Sequence, residues 1–319
     1  MTYVVTLTGG KNNSGDFLIK KKAHDLIQNY FDDIDIVDIN GWEVSEKDLE
    51  LINGAKALLL TGGPALIPNV VPAIYSLENL IDEIQVPIAT FGVGWFHANG
   101  DWKDLNNYNF NKSSQKLFNR LANNGITNSV RDYFTYQLLK DNGVKNVIMT
   151  GCPVLFNGGK LAVSNTPKCD LNVAVSLGVG FKDMDLLFEQ TIQLLDQAKI
   201  RFNNITAVFH HGLEKQKYVP STLTKKQNKL VKYLEYKNIK YVDASGSAEA
   251  LMSTYDEFDL HLGYRVHAHL YMLSQGKPSY LIAEDGRGTG QQQVLGELNF
   301  KSYKYSMNSK LFRGAHRLG

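Results

Sequence analysis

The feature that most limits what this chain can fold into is a repeated unit: a short apolar run rich in β-branched residues, a turn, and a longer amphipathic stretch. The apolar runs lie at 3–7, 35–39, 57–61, 87–91, 127–130, 146–150, 171–177, 205–210, 239–243, 258–262 and 278–282. Helical patterns such as those at 17–31, 132–143, 183–200 and 223–237 fill the gaps. Short apolar runs that alternate with helices indicate parallel strands covered by helices on both faces. The pattern predicts an α/β protein with doubly wound sheets.

Length and a local change in composition predict two domains. The chain has 319 residues, about twice the size of a typical single domain. Around 156–170 the repeated unit gives way to Gly, Ser, Asn and Pro, which is typical of a linker. We therefore expect domains at 1–160 and 170–319. Two open sheets that face one another leave a cleft lined by the carboxyl ends of their strands, where such sheets bind ligands.

Composition excludes several classes of protein. Lys plus Arg (34) nearly balance Asp plus Glu (32), so the net charge of +2 gives no support to nucleic-acid binding. No apolar run approaches the roughly 18 residues of a membrane span, and the start lacks a charged leader, so we expect a cytoplasmic protein. The basic tail 310–319 would allow peripheral contact with the inner face of a membrane. The two cysteines, Cys152 and Cys169, form no Cys-x-x-Cys pair, which argues against a zinc site or a disulfide framework.

The stretch GYRVHAHL (263–270) places basic side chains directly after a predicted strand. The following helix is expected to run from about 264 to 275, with Arg265 and His267 in its first turn. There, free N–H groups and the helix dipole favour an anion. Arg265 adds a guanidinium that binds a carboxylate or phosphate bidentately, and His267 can donate a proton near neutral pH.

The same histidines also fit simpler explanations. Taken alone, His267 and His269 also fit packed or half-exposed histidines of a helix, and packing is the default interpretation of His269. A metal site is a weaker hypothesis, because side chains two positions apart point to different sides of a helix and no further ligand completes a set.

Two more arginines follow predicted strands. EDGRGTGQQQ (284–293) sets Arg287 between Gly286 and Gly288, and such a loop lets a phosphate approach backbone N–H groups; a plain turn explains the glycines equally well. NSVRDYFT (128–135) places Arg131 at another strand end. Together with Arg265, these residues predict an anion clamp on the cleft.

These stretches together resemble the polysaccharide pyruvyl transferase family. The resemblance rests on NNSGD (12–16), TGG (61–63), FGVG (91–94), SVRDYFTYQLLKDNGVKNVIMTGCP (129–153) and GYRVHAHLYMLSQGKPSYLI (263–282), which occur in the family's order. It implies two Rossmann-like domains in a glycosyltransferase-B-like arrangement, with the acceptor side N-terminal and the phosphoenolpyruvate side C-terminal. It also implies transfer of an enolpyruvyl unit from phosphoenolpyruvate, as donor substrate rather than cofactor, to a sugar of a bacterial cell-surface polysaccharide or its lipid-linked precursor. The product would be a cyclic ketal.

The resemblance also implies roles for particular residues. His267 matches the catalytic acid and Arg265 the donor-binding arginine, while Arg131 matches the arginine of the Arg-Asp block near the donor. Asp16 matches the acidic residue of the Asn/Gly/Asp loop, which with Asn13 belongs to the acceptor side. Three arginines neutralise a phosphate without a metal ion, so none is expected.

The chain departs from the family at GCP (151–153), where Cys152 replaces an aspartate that is common in members; an apolar neighbourhood favours a buried structural thiol there over a nucleophile. Arg287 stands near a position where members often carry a lysine.

Two aromatic and histidine-rich stretches are further candidates. The loop 95–111 carries Trp95, His97 and Trp102, which suit stacking on an acceptor sugar, although a surface loop with buried aromatics explains them equally well. HHGL (210–213) follows a strand, so His211 is assigned to the donor side, with packing as an equal alternative.

Two rival functions remain at this stage. One is a glycosyltransferase of the same architecture that uses a nucleotide sugar. The other is a non-catalytic carbohydrate-binding relative, suggested by the departure at Cys152.

Overall fold

The structure is a computed structural model that describes residues 2–11, 13–156, 170–179, 184–213, 221–296 and 299–301. Most of the predicted linker, Cys169 and the basic tail 310–319 lie outside these residues. The predicted domain limits fall beside or within these gaps, so they stay predictions.

The first half of the chain forms one set of parallel strands. They are β1 (Tyr3–Thr8), β2 (Asp35–Asn40), β3 (Leu58–Thr61), β4 (Ile88–Phe91), β5 (Asn128–Val130) and β6 (Val147–Met149). The first four pair in the order β2-β1-β3-β4, and β5 pairs with β6. An isolated parallel bridge between Val93 and Val130 and a 3.0 Å bond from the Gly92 N–H to the Ser129 carbonyl connect the two groups. The strand order reverses between β1 and β3, so the loops after these strands diverge and open a crevice.

The second half forms a parallel sheet of six strands. They are β7 (Asn172–Ser176), β8 (Asn204–Phe209), β9 (Lys240–Asp243), β10 (Leu260–Gly263), β11 (Ser279–Ala283) and β12 (Asn299–Lys301). Their order is β12-β11-β10-β7-β8-β9, so the reversal lies between β7 and β10. Every predicted apolar run overlaps one of these strands. Only β12 was missed, because three residues are too short to show a hydrophobic period.

Ten α-helices are described between these strands. They are α1 (Ser14–Tyr30), α2 (Leu49–Asn53), α3 (Val70–Ala73), α4 (Lys112–Ala122), α5 (Tyr133–Asp141), α6 (Met184–Arg201), α7 (Ser221–Tyr236), α8 (Ala248–Asp256), α9 (Val266–Ser274) and α10 (Gly286–Leu295). Within the part of the chain described above, none of them combines the length and apolarity needed to cross a membrane.

One hydrophobic cluster joins the two halves. Leu18 and Ile19 of α1 are fully buried, and they belong to the same cluster as Leu251 of α8 and Met272 of α9. Cys152, which follows β6, is buried in this cluster too. Because α1 packs on helices of the second half, its N-terminus is held against the carboxyl end of β10, where the basic stretch begins.

Candidate active site

The site is built on the point where the strand order of the second sheet reverses. β10 ends at Gly263, whose φ of +134° is open to glycine alone; a Cβ built there would lie 2.2 Å from the Ser176 carbonyl oxygen. The chain then turns, and Arg265 is the N-cap of α9, with an extended backbone (φ −92°, ψ 109°). The sequence predicted that Arg265 lies within the first turn of this helix. Arg265 and His267 are 8% and 7% exposed, so both side chains face the interior of the cleft.

His267 reaches across the cleft to the first half of the chain. A Cβ built on Gly15, at the start of α1, would lie 2.2 Å from the His267 Nδ1 atom. The imidazole therefore lies against the bare backbone of α1, which explains why a glycine follows Ser14. The His267 Nε2 atom is buried and has no hydrogen-bond partner in the protein.

Arg131 is a fully buried arginine whose guanidinium has no hydrogen-bond partner at any of its three nitrogens. Its charge is faced by the Asp132 carboxylate at 3.5 Å (Nε to Oδ2), which also caps α5 by accepting from the Thr135 N–H. The guanidinium lies over Gly94, where a Cβ would come within 1.9 Å of Nε. A buried guanidinium without partners is costly, so the site is shaped for an anion.

Asp16 lies in the first turn of α1 among the arginines. Burial raises the pKa of its carboxyl group, while Arg287, Arg131 and Arg265 oppose that rise. Its Oδ1 atom is buried without a hydrogen-bond partner. Asn13 is the N-cap of the same helix, and its side chain accepts from the Gly15 N–H at 3.2 Å. Both predicted acceptor-side residues thus stand at the helix end that touches His267.

Arg287 differs from the other two arginines because carboxylates already hold it. Its Nε and Nη2 donate to the two oxygens of Asp285 at 3.0 and 2.6 Å, and Glu284 lies 3.5 Å from Nη2. The stretch 284–293 contains both acidic residues, but the sequence analysis considered only its glycines and its arginine and did not predict this pairing.

The expected phosphate cradle at Gly286 and Gly288 is corrected by the structure. The Gly286 N–H donates to the His97 carbonyl at 2.8 Å, and the Gly288 N–H donates to the Asp285 carbonyl at 3.1 Å. These N–H groups are therefore occupied, and the glycines serve close packing: a Cβ on Gly286 would meet the His97 carbonyl oxygen at 3.0 Å.

The loop after β4 closes one side of the cleft. Trp95 is 1% exposed and packs edge-on against Tyr108 and Phe134, so the prediction that it stacks on a sugar is wrong and the packing alternative holds. His97 stacks on Trp95 at 5.1 Å and accepts N–H groups of its own loop. Trp102 is 49% exposed, so of these three it presents the open aromatic face.

The two histidines after β8 are placed differently. His210 is 2% exposed, lines the cleft with Arg265, and its Nε2 lies 2.8 Å from the Tyr255 hydroxyl. His211 is partly exposed, and burial followed by Arg265 and Arg287 lowers its pKa to about 2. The sequence assigned His211 to the donor, whereas His210 is the one that lines the cleft.

Burial and charge set the protonation of the site. Burial, then Arg131, Arg287 and Arg265, lower the pKa of His267 well below its usual value, which favours a neutral imidazole. Burial raises the pKa of the Cys152 thiol to about 11 against the opposing influence of Arg131, which fits a structural thiol.

Among the described residues, no three His, Cys, Asp or Glu side chains are grouped as metal ligands.

Comparisons with known proteins agree with this geometry. A model of the family described as polysaccharide pyruvyl transferase matches residues 13–286. A search of curated proteins finds no match. Among solved structures, MnaA of S. aureus with UDP is similar with a TM-score of 0.55 at 9% identity, covering 100% of this chain and 88% of that one. UDP-GlcNAc 2-epimerase of Methanocaldococcus jannaschii, in complex with UDP-GlcNAc and UDP, has a TM-score of 0.52 at 12% identity, covering 97% and 94%. These likenesses show the fold: two Rossmann-like units in a glycosyltransferase-B-like arrangement, as predicted.

Proposed function

The chain belongs to the polysaccharide pyruvyl transferase family, and from that premise we propose that it transfers the enolpyruvyl unit of phosphoenolpyruvate to a saccharide as a cyclic ketal. The saccharide would be part of a bacterial cell-surface polysaccharide or its lipid-linked precursor. Such a precursor would bring the protein to the inner face of the membrane.

The observation that carries the proposal is the fully buried Arg131 guanidinium without hydrogen-bond partners. Arg265 also has a buried Nε without a hydrogen-bond partner, and both arginines lower the pKa of His267. Phosphoenolpyruvate carries a phosphate and a carboxylate, and two arginines with free donors match two anionic groups. Since arginines supply the positive charge, the proposal requires no metal ion, and turnover is expected to survive chelation.

His267 would act as the general acid. Protonation of the donor's methylene carbon creates an oxocarbenium-like centre at C2, so a proton source must stand close to that carbon. Burial and three arginines lower the pKa of the imidazole and so favour its neutral form. About three negative charges on the bound donor offset those arginines and raise the pKa of His267. Donor binding would therefore favour the protonated form of His267.

The acceptor would bind against the N-terminus of α1. The Asp16 Oδ1 atom is buried without a partner and can accept a hydrogen bond from a sugar hydroxyl. That hydroxyl attacks C2 and gives its proton to His267, which restores the acid. The bond from C2 to the phosphate oxygen breaks while the arginines hold the phosphate, and a neighbouring hydroxyl closes the ketal as its proton leaves with the phosphate. Trp102, on the loop after β4, is 49% exposed and offers the sugar a stacking surface.

Thermal unfolding with candidate donors tests the proposal. Phosphoenolpyruvate at about a hundredfold its Kd should stabilise the wild-type protein by about 2.7 kcal/mol. Arg265→Ala should weaken phosphoenolpyruvate binding and so reduce the shift. Stabilisation by a nucleotide sugar alone would instead support the rival glycosyltransferase.

A second assay separates the enzyme from a non-catalytic relative. With acceptor saccharides present, the wild-type protein should release phosphate from phosphoenolpyruvate, and His267→Gln should not. Acceptor binding without phosphate release, unchanged by His267→Gln, would identify a carbohydrate-binding protein.

A further inference from the structure

A chain of buried hydrogen bonds lies beneath the helix that carries Arg265 and His267. Ser176 at the end of β7, His261 on β10 and Ser279 at the start of β11 are each 0% exposed. The Ser176 Oγ lies 2.7 Å from His261 Nε2, and His261 Nδ1 lies 2.6 Å from the Ser279 Oγ. The three side chains thus connect three neighbouring strands of the second sheet.

This chain is attached to α9 at two points. The Arg265 backbone N–H donates to the Ser176 Oγ at 3.0 Å. One turn later, His269 Nδ1 lies 2.8 Å from the Ser279 Oγ. His267 stands between the two attached residues, so both ends of the helical turn that bears it are tied to the sheet.

The hydrogen bonds are self-consistent with neutral imidazoles in either of two directions, and one of them begins at the Arg265 N–H. Because the Ser176 Oγ accepts from Arg265, its own proton can go to His261 Nε2. His261 then carries its proton on Nδ1 and donates to the Ser279 Oγ, which donates to His269 Nδ1. This arrangement needs both imidazoles neutral, and burial provides that by lowering their pKa values, to about 3 for His269.

Glycine at position 263 makes the first attachment possible. A Cβ there would lie 2.7 Å from the Ser176 Oγ and 2.8 Å from the Ser176 nitrogen. With no side chain at Gly263, the Ser176 hydroxyl has room to reach the Arg265 N–H. Sequence reasoning treated His269 as packing and left His261 without a role.

We propose that Ser176, His261 and Ser279 form a clamp that positions Arg265 and His267 for the donor. These are positioning residues, since none of them is placed to touch the substrate. The clamp itself follows from the fold, and its effect on phosphoenolpyruvate rests on the proposed function.

The clamp is tested first without any ligand, by amide hydrogen exchange on the full-length chain. Ser176→Ala removes the acceptor of the Arg265 N–H and should speed exchange at residues 265–269 by about tenfold. Ser279→Ala should do the same at the His269 end, and it replaces the first variant if that one does not fold. Ser274→Ala is the matched control: it removes another buried hydroxyl of α9, bonded to the Tyr271 carbonyl at 2.7 Å, and should leave residues 265–269 unchanged. Unchanged exchange in the folded clamp variants would overturn the clamp.

Calorimetric titration with phosphoenolpyruvate then tests positioning. Ser176→Ala should raise the Kd about tenfold, whereas Ser274→Ala should leave it unchanged. In an Arg265→Ala background, Ser176→Ala should weaken binding no further, because its effect passes through Arg265. Equal effects in both backgrounds would overturn the positioning role. If the wild-type protein binds no phosphoenolpyruvate, the proposed function fails, and the exchange measurement alone decides the clamp.

Discussion

Replacing Gly15 by alanine should damage the site through one contact whose size the structure gives. The added Cβ would lie 2.2 Å from His267 Nδ1, whereas ordinary contact begins at 3.4 Å, so the imidazole must retreat by about 1.2 Å. Misplacing a reacting group by about 1 Å costs on the order of a hundredfold in rate. We therefore expect Gly15→Ala to lose about a hundredfold in phosphate release once an acceptor is found.

The same substitution has a calculable effect on stability. Overpacking costs about 1–3 kcal/mol, while alanine in a helix is more stable than glycine by roughly 0.5–1 kcal/mol. Gly15→Ala should therefore lower the free energy of unfolding slightly in the wild-type protein. In a His267→Ala background the ring is gone and only a 3.1 Å approach to the Cβ of residue 267 remains, so Gly15→Ala should be less destabilising there. Urea unfolding of the four proteins measures this coupling.

A matched control separates local from general damage. Gly54→Ala places a Cβ 2.6 Å from the Tyr3 hydroxyl, far along the chain from the cleft residues. It should lower stability without changing phosphoenolpyruvate binding or turnover. If Gly15→Ala changes stability equally with and without the His267 ring, the contact argument is refuted.

Three further outcomes are expected. Arg131→Met should weaken phosphoenolpyruvate binding by about tenfold to a hundredfold, measured by calorimetry, because it removes the buried donors that have no partner in the protein; it should also lower stability, because the buried Asp132 carboxylate loses the positive charge 3.5 Å away. Donor binding at neutral pH should take up a proton, because the pKa of His267 starts well below neutrality and rises toward it; titrations in buffers of different ionisation enthalpy should show the uptake, and His267→Gln should lose it. Cys152 should resist alkylation in the folded protein at pH 7, because burial raises its thiol pKa to about 11; rapid labelling would contradict its structural role.

The sequence predicted the strands well because their signal is local. An apolar run and the turn after it depend on neighbouring residues, and each predicted run overlaps a strand of the structure. The three arginines could also be placed on the cleft, because the carboxyl ends of the parallel strands of both sheets line it.

Long-range partners could not be predicted in this way. The stretch 284–293 shows glycines around an arginine, but not that the Gly286 N–H is already bonded to the His97 carbonyl. Likewise, Trp95 and Trp102 look alike in sequence and both contact Phe134, yet only Trp95 also packs against Tyr108, and it is 1% exposed where Trp102 is 49% exposed. Such differences depend on residues brought together by the fold.

The near-complete burial of Arg265 and His267 limits how a saccharide can enter. Parting the halves along α1 would expose Leu18 and Ile19, at about 1.5–3 kcal/mol for each side chain. On the opposite side, the loop after β4 is bonded to α10 by the Gly286 N–H to the His97 carbonyl and by the Thr289 hydroxyl to the Gly100 carbonyl, both at 2.8 Å. Two such bonds contribute only about 0.5–1.5 kcal/mol each. Opening is therefore less costly at this loop, which also carries the exposed ring of Trp102.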